Sequence, residues 1–327
     1  MRRKAVERGI PLFTSLDTAN ALANALTSRY SLGNVELVDI NNMRTKHKKL
    51  TFTKMRGTGN DYLYFDCFDQ TVESPESLAV RLSNRRTGVG SDGIVLIMPS
   101  TIADAKMRMF NADGTEGSVA GNALRCVCKY LYENGHVRKD EMAVETGSGV
   151  KTAKLFIRED QVFSVLVDMG CPAFAPAKIP VKLDGDRVMM RPVFLAGEKR
   201  EISCVSMGNP HVVIFVEDVN RIPLEQVGPQ IETDSLFPER VNVSFAQIVD
   251  KNDIVMRVWE RGIGETAACG TGACAVAVAA VENGFCTRGA DIDVRLPGGT
   301  LVVRYQEDGK VWLTGDANTD FTGTIEI

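Results

Sequence analysis

One pattern occurs twice in this chain, and that repetition limits its fold more than any other feature. Gly114-Thr115-Glu116-Gly117-Ser118-Val119-Ala120-Gly121-Asn122-Ala123 is echoed by Gly264-Glu265-Thr266-Ala267-Ala268-Cys269-Gly270-Thr271-Gly272-Ala273. Each copy is a loop of small residues that runs into a helix. Helices are expected over 121–134 and 272–283, closed by Asn134-Gly135 and Asn283-Gly284. Glu116 precedes Ala120-Gly121 as Glu265 precedes Cys269-Gly270, so Ala120 aligns with Cys269.

A glycine-containing loop at a helix start leaves backbone N–H groups free at the positive end of the helix dipole. Such a site takes a carboxylate without an arginine. A cysteine placed there is biased toward thiolate. Two such helices facing each other would hold one carboxylate between them, with a group on each side of its α-carbon. That arrangement removes a proton from one face and returns one to the other.

From Leu50 onward short strands alternate with few helices. Strands are expected over 50–55, 62–67, 94–98, 105–111, 143–146, 153–157, 163–168, 211–216, 254–258, 294–296, 301–305 and 311–314, with a further helix over 77–83. Many short strands with two conspicuous helices make an α+β protein. Gly88-Val89-Gly90-Ser91-Asp92-Gly93 fits G-x-G-x-x-G, but an apolar strand follows where a dinucleotide-binding helix should begin. The eight cysteines are scattered and read as reduced thiols, with Cys126, Cys128 and Cys274 as core. His47, His136 and His211 lie far apart, so no metal site is expected. The formal net charge of -4 offers no general attraction to nucleic acid or anionic membranes. No apolar run is long enough to cross a bilayer. Met1-Arg2-Arg3-Lys4 is basic, yet no apolar signal-peptide core follows, and Glu7 and Asp17 argue against a transit peptide.

Residues 51 to 327 resemble the diaminopimelate epimerase family. The resemblance rests on several motifs in order: Lys54-Met55-Arg56-Gly57-Thr58-Gly59-Asn60-Asp61, Met109-Phe110-Asn111-Ala112-Asp113-Gly114, Arg125-Cys126-Val127, Gly208-Asn209-Pro210-His211, Glu239-Arg240-Val241-Asn242-Val243, Trp259-Glu260-Arg261-Gly262-Ile263-Gly264-Glu265-Thr266 and Ala268-Cys269-Gly270-Thr271-Gly272-Ala273-Cys274-Ala275. The resemblance implies two pseudo-symmetric α+β halves, each a curled, mostly antiparallel sheet around a central helix. The first half would be 51–165 with the C-terminal strand 314–327, and the second 166–313. It implies a cofactor-independent epimerase that converts LL-2,6-diaminopimelate to the meso form in lysine and peptidoglycan precursor synthesis. Its partner would be a small amino-acid substrate, its location the cytoplasm, and its assembly a homodimer. Cys269 would be one acid/base. Gly121-Asn122 and Gly270-Thr271 would bind the reacting carboxylate. Asn60, Asn111, Asn209, Asn242, Glu260 and Arg261 would hold the rest of the substrate, with His211 lining the cleft. Glu116 is left outside the site, as an acid of the helix's first turn.

Two departures stand out. The family has Cys-Gly-Asn-Gly where this chain has Ala120-Gly121-Asn122-Ala123, and the methyl group of Ala120 carries no transferable proton. Gly93 stands where family members often place a substrate-touching glutamine. A second reading is therefore a binding protein on the same fold with little turnover. A third is a relative such as a proline racemase or a carboxylate-using isomerase, against which the Asn and Glu-Arg set argues. Residues 1–50 read as a helix over 19–26, a short strand over 35–40 and a basic linker over 46–49. They resemble the extreme C-terminus of the carbamoyl phosphate synthetase large chain, through Arg2-Arg3-Lys4-Ala5-Val6-Glu7-Arg8-Gly9-Ile10-Pro11, Thr14-Ser15-Leu16-Asp17-Thr18-Ala19-Asn20-Ala21 and Leu37-Val38-Asp39-Ile40. That tail is too short to bury a core of its own and is expected as a remnant.

Overall fold

The computed structural model describes Asn20, Ala23 and residues 49–117 and 121–326. Asn20 and Ala23 are helical. The remainder of the expected helix over 19–26, the strand over 35–40, all but Lys49 of the linker, and Ala120 itself lie outside the described residues. The body of the molecule is a unit of its own from Lys49 onward.

Strands form where apolar residues alternate with polar ones. Asp291–Leu296 alternates exposed and buried at every step, as a sheet with one wet face requires. In the first half the strands are β1 (Lys49–Gly57), β2 (Asn60–Asp66), β3 (Gly93–Met98), β4 (Ala105–Asn111), β5 (Glu116–Gly117), β6 (Glu141–Thr146), β7 (Gly149–Arg158) and β8 (Gln161–Asp168). In the second they are β9 (Arg191–Leu195), β10 (Glu198–Ser206), β11 (Pro210–Phe215), β12 (Asn242–Asp250), β13 (Asp253–Glu260), β14 (Gly264–Thr266), β15 (Asp291–Leu296), β16 (Gly299–Tyr305), β17 (Val311–Gly315) and β18 (Asn318–Glu326). The helices are α1 (Pro75–Ser83), α2 (Gly121–Glu133), α3 (Leu224–Glu232) and α4 (Gly270–Glu282).

The pairing repeats. β2 pairs parallel with β3 across α1, as β11 does with β12 across α3. β4 pairs parallel with β6 across α2, as β13 does with β15 across α4. The other neighbours in each half are antiparallel. The architecture is α+β, in two repeated halves. β8 pairs with β17 and joins them, and β18 returns from the second half to pair with β1.

Each half wraps a central helix. Every residue of α2 from Asn122 to Cys128 is buried. Every residue of α4 from Gly272 to Ala280 is buried as well. Its alanines and valines suit a helix enclosed on all sides. Cys126, Cys128 and Cys274 lie in these cores, and burial pushes the Cys126 thiol up to about 11.

Among the described residues, Arg125 of α2 is the largest fully buried side chain. Its Nη2 donates to Thr58 Oγ1 at 2.8 Å and its Nε to the Asp316 carbonyl at 3.0 Å. Thr58 in turn donates from N and Oγ1 to Asp316 Oδ1. A buried cation thus clamps the turn between β1 and β2 to the crossing between β17 and β18.

Several elements differ from expectation. β10 carries Glu198, Lys199, Arg200 and Glu201 on its exposed end, so only Val205 signals a strand there. α3 contains Pro229 and Gly228, which mask a helix. β18, expected within 314–327 from the resemblance rather than from its own pattern, is mostly exposed and polar and is a strand through its pairing with β1. α4 begins at Gly270 rather than Gly272, because helix starts tolerate glycine.

Candidate active site

The starts of α2 and α4 meet. A Cβ added at Gly121 would stand 3.6 Å from Leu313 Cδ2. One at Gly270 would stand 3.2 Å from the same methyl group and 3.6 Å from Asn122 Oδ1. Two glycines therefore keep open the space between the helix ends. Of the expected loop before α2, the structure describes residues 114–117 and the helix start at Gly121; Ala120 lies outside the described residues.

Cys269 caps α4 in an extended conformation and is 5% exposed. Its Sγ lies 3.6 Å from Thr271 Oγ1, and the Glu260 carboxylate lies against it. Here the structure corrects the sequence reading of a thiolate. Burial first, then the charge of Glu260, push the thiol well up, against smaller opposing hydrogen bonds from Thr271 and the Gly272 N–H. Glu260 is the acidic residue whose charge acts on this thiol. Burial raises its carboxyl, while hydrogen bonds from Cys269 and from Thr266, at 2.5 Å, favour its charge. The sequence pattern assigned Glu260 only to the far end of the substrate. The contact arises because β14 folds back on the end of β13, pairing Gly264 with Glu260.

His211 is fully buried, with Nε2 3.1 Å from both Asn209 Oδ1 and Thr271 Oγ1. Asn209 Nδ2 donates to the same Thr271 hydroxyl at 3.2 Å. Burial, then the nearby Arg261 charge, hold the imidazole down at about 3. An unfolded histidine takes a proton near 6.5. Between these values the unfolded state binds the extra proton, so this group lowers stability as pH falls. Urea unfolding from pH 7 to pH 4 is expected to show a decline of up to roughly 1.4 kcal/mol per pH unit from this residue. His211→Gln removes that component; an unchanged slope contradicts the assignment.

Asn242 is pinned at both ends. Its Nδ2 donates to the Pro210 carbonyl at 2.8 Å, and its Oδ1 accepts from the Arg261 N–H at 2.9 Å. Arg261 is exposed, with Nη1 on the Glu239 carbonyl at 3.0 Å. Hydrogen bonds thus join Asn242 to Arg261 on one side, and Cys269, Thr271, Asn209 and His211 on the other, with Glu260 beside Arg261 in the chain.

The first half joins this cluster through Asn122. Its Nδ2 donates to Asn60 Oδ1 at 2.7 Å, and Asn60 Nδ2 donates to Asp92 Oδ2 at 3.0 Å. The turn carrying Asn60 rests on the Cys269 loop. Gly59, at φ +86°, has Gly298 Cα and the Ala267 and Ala268 methyl groups where a Cβ would go. Asn111 is the outlier: its Nδ2 is taken by Thr115 Oγ1, and its place opposite Gly93 sets it beside Asp92. Gly93 is more than a missing glutamine, since a Cβ there would stand 2.1 Å from the Phe110 carbonyl. Glu116 is corrected too. It lies in β5, not in the first turn of α2, and forks with Arg108 at 2.7 and 2.9 Å. Glu265 forks with Arg257 at 2.8 and 3.0 Å in the same place of the second half. The repeated glutamate is a strand clamp.

Comparison with known proteins now decides the family. The family model for diaminopimelate epimerase matches residues 52–175 and 203–319. The chain belongs to the diaminopimelate epimerase family. It is 48% identical to the diaminopimelate epimerase of Acetivibrio thermocellus over 279 residues, covering 85% of this chain and 99% of that one. It is 50% identical to that of Desulfovibrio desulfuricans over 285 residues, with the same coverage. Among solved structures it resembles a Bacillus anthracis phenazine biosynthesis protein of the PhzF family, with a TM-score of 0.63, 18% identity and coverage of 86% and 100%. A probable proline racemase from Agrobacterium radiobacter follows a similar course, with a TM-score of 0.58, 16% identity and coverage of 84% and 92%. These solved structures show the fold alone. In the epimerase family frame, the converging helix ends and Cys269 fall within the matched segments. Among the described residues, no helix is long and apolar enough to cross a membrane.

Proposed function

We propose that this chain binds 2,6-diaminopimelate and interconverts its LL and meso forms, slowly, because Ala120 leaves one face of the site without an acid. The observation that carries this reading is the meeting of the two helix starts beside the buried Cys269 and the half-buried Glu260.

The reacting carboxylate sits between the helix ends, on the N–H groups of Gly121, Asn122, Gly270 and Thr271. Glu260 takes the Cys269 proton, and the thiolate takes the α-proton of the substrate. The carbanion is stabilised by the aligned helix N–H groups in a closed, low-dielectric space. Cys269 can return its proton only to the face it came from. Inversion needs a donor on the opposite face, which Ala120 does not provide. Arg261 and Asn209 hold the distal amino-acid group, and Asn242 fixes Arg261; Asn60, bonded to Asn122, stands at the reacting end. His211 stays neutral and orients Thr271.

The same reading makes the protein a cytoplasmic, cofactor-independent homodimer. It takes residues 51–165 with 314–327 as one half and 166–313 as the other, a division supported by the return of β18 to β1.

Equilibrium titration with diaminopimelate tests the site. The chain is expected to bind it, and Arg261→Ala is expected to weaken binding roughly 10- to 100-fold, as loss of a charged hydrogen bond does. Unchanged affinity in that variant would place Arg261 outside the site, and no binding by the parent chain would overturn the reading.

A further inference from the structure

The contact chain from Asp92 to Asn122 has a direction. The Asp92 carboxylate oxygens accept from the Arg85 guanidinium and the Asp61 N–H, so the Asn60 amide turns its nitrogen toward Asp92 Oδ2. Asn60 Oδ1 then faces Asn122 and accepts from its Nδ2. That fixes the Asn122 amide in turn, with Oδ1 on the side of Gly270. Asp92 is itself held in place by Arg85 Nη2 at 2.8 Å and by the Asp61 N–H at 3.2 Å.

The end of the chain is left unfinished. Asn122 is 4% exposed, and its Oδ1 has no hydrogen-bond partner among the described residues. A buried carbonyl without a donor is costly and marks a place where something else completes it. This one opens into the space between two helix starts, whose N–H groups take an anion. An amide oxygen there repels carboxylate oxygens and attracts a donor. On an amino acid, the donor next to the α-carboxylate is the α-ammonium.

We propose that Asp92 is a positioning residue that, through Asn60, aims Asn122 Oδ1 at the α-ammonium of the reacting centre. This rests on the reading of the site as one that binds diaminopimelate. The relay makes the site demand an amino acid at its reacting end, since a plain carboxylate would leave the Asn122 carbonyl unmet. Asp92 does so without touching the substrate, from the far side of Asn60.

The test compares two ligands by equilibrium titration: 2,6-diaminopimelate, and 2-aminopimelate bound by its single amino-acid end at the distal group. The parent chain is expected to prefer diaminopimelate by roughly 10- to 100-fold. Asp92→Ala and the near-isosteric Asp92→Asn are each expected to bring that ratio toward unity, while affinity for 2-aminopimelate changes by less than about threefold. The second variant guards against misfolding in the first. Parallel weakening of both ligands, or an unchanged ratio in Asp92→Asn, overturns the relay while leaving the diaminopimelate reading intact. Failure of the parent chain to bind diaminopimelate overturns both.

Discussion

Replacing Ala120 by cysteine is expected to raise the epimerisation rate by roughly 10² to 10⁴, the contribution of a single positioned acid or base. The gain should lie in kcat, because the carboxylate contacts proposed for Gly121, Asn122, Gly270 and Thr271 use backbone groups that the substitution leaves alone. KM should move little. A circular-dichroism or coupled-enzyme assay of LL to meso conversion reads the effect. A large change in KM without one in kcat would mean that residue 120 shapes binding rather than proton transfer.

The second large effect belongs to Cys269. Cys269→Ala should abolish α-proton exchange in the parent chain, and should remove roughly 10² to 10⁴ of the rate in the Ala120→Cys variant. Binding of diaminopimelate should survive, since Cys269 is a small buried side chain whose loss leaves the helix start in place. Glu260→Gln should resemble it in rate, because the Cys269 thiol, pushed up by burial, then has no base to ionise it. Persisting exchange in Cys269→Ala would assign the proton to another group.

Much of this was legible in the sequence because it lives in local patterns. Small-residue loops entering helices at Gly121 and Gly270 announce themselves by composition, and their repetition announces the two halves. Alternating strands such as β6 and β15 do the same. The rest depends on partners distant in the chain. β18 has no apolar signal of its own and is ordered by β1. Glu260 is expected only to hold the far part of the substrate until the β13–β14 turn brings Cys269 near it. Glu116 looks like part of the helix start, yet its carboxylate is bound by Arg108 across the β4–β5 pair. Asp92 sits in a glycine-rich stretch that resembles a nucleotide loop, and only its bond to Asn60 ties it to the site. The thiolate expectation failed for a different reason. A helix start favours the anion, but burial beside Glu260 outweighs it.

The central claim is that Cys269 works on one face of the α-carbon and nothing works on the other. Incubating the parent chain in deuterium oxide with LL- and with meso-diaminopimelate, and following both α-deuterium content and stereochemistry, tests it directly. Deuterium should enter the α-carbon of one stereoisomer with retention, far faster than either is converted to the other. Deuterium appearing only in inverted product, at the rate at which that product forms, would show a second acid/base at work and contradict the account.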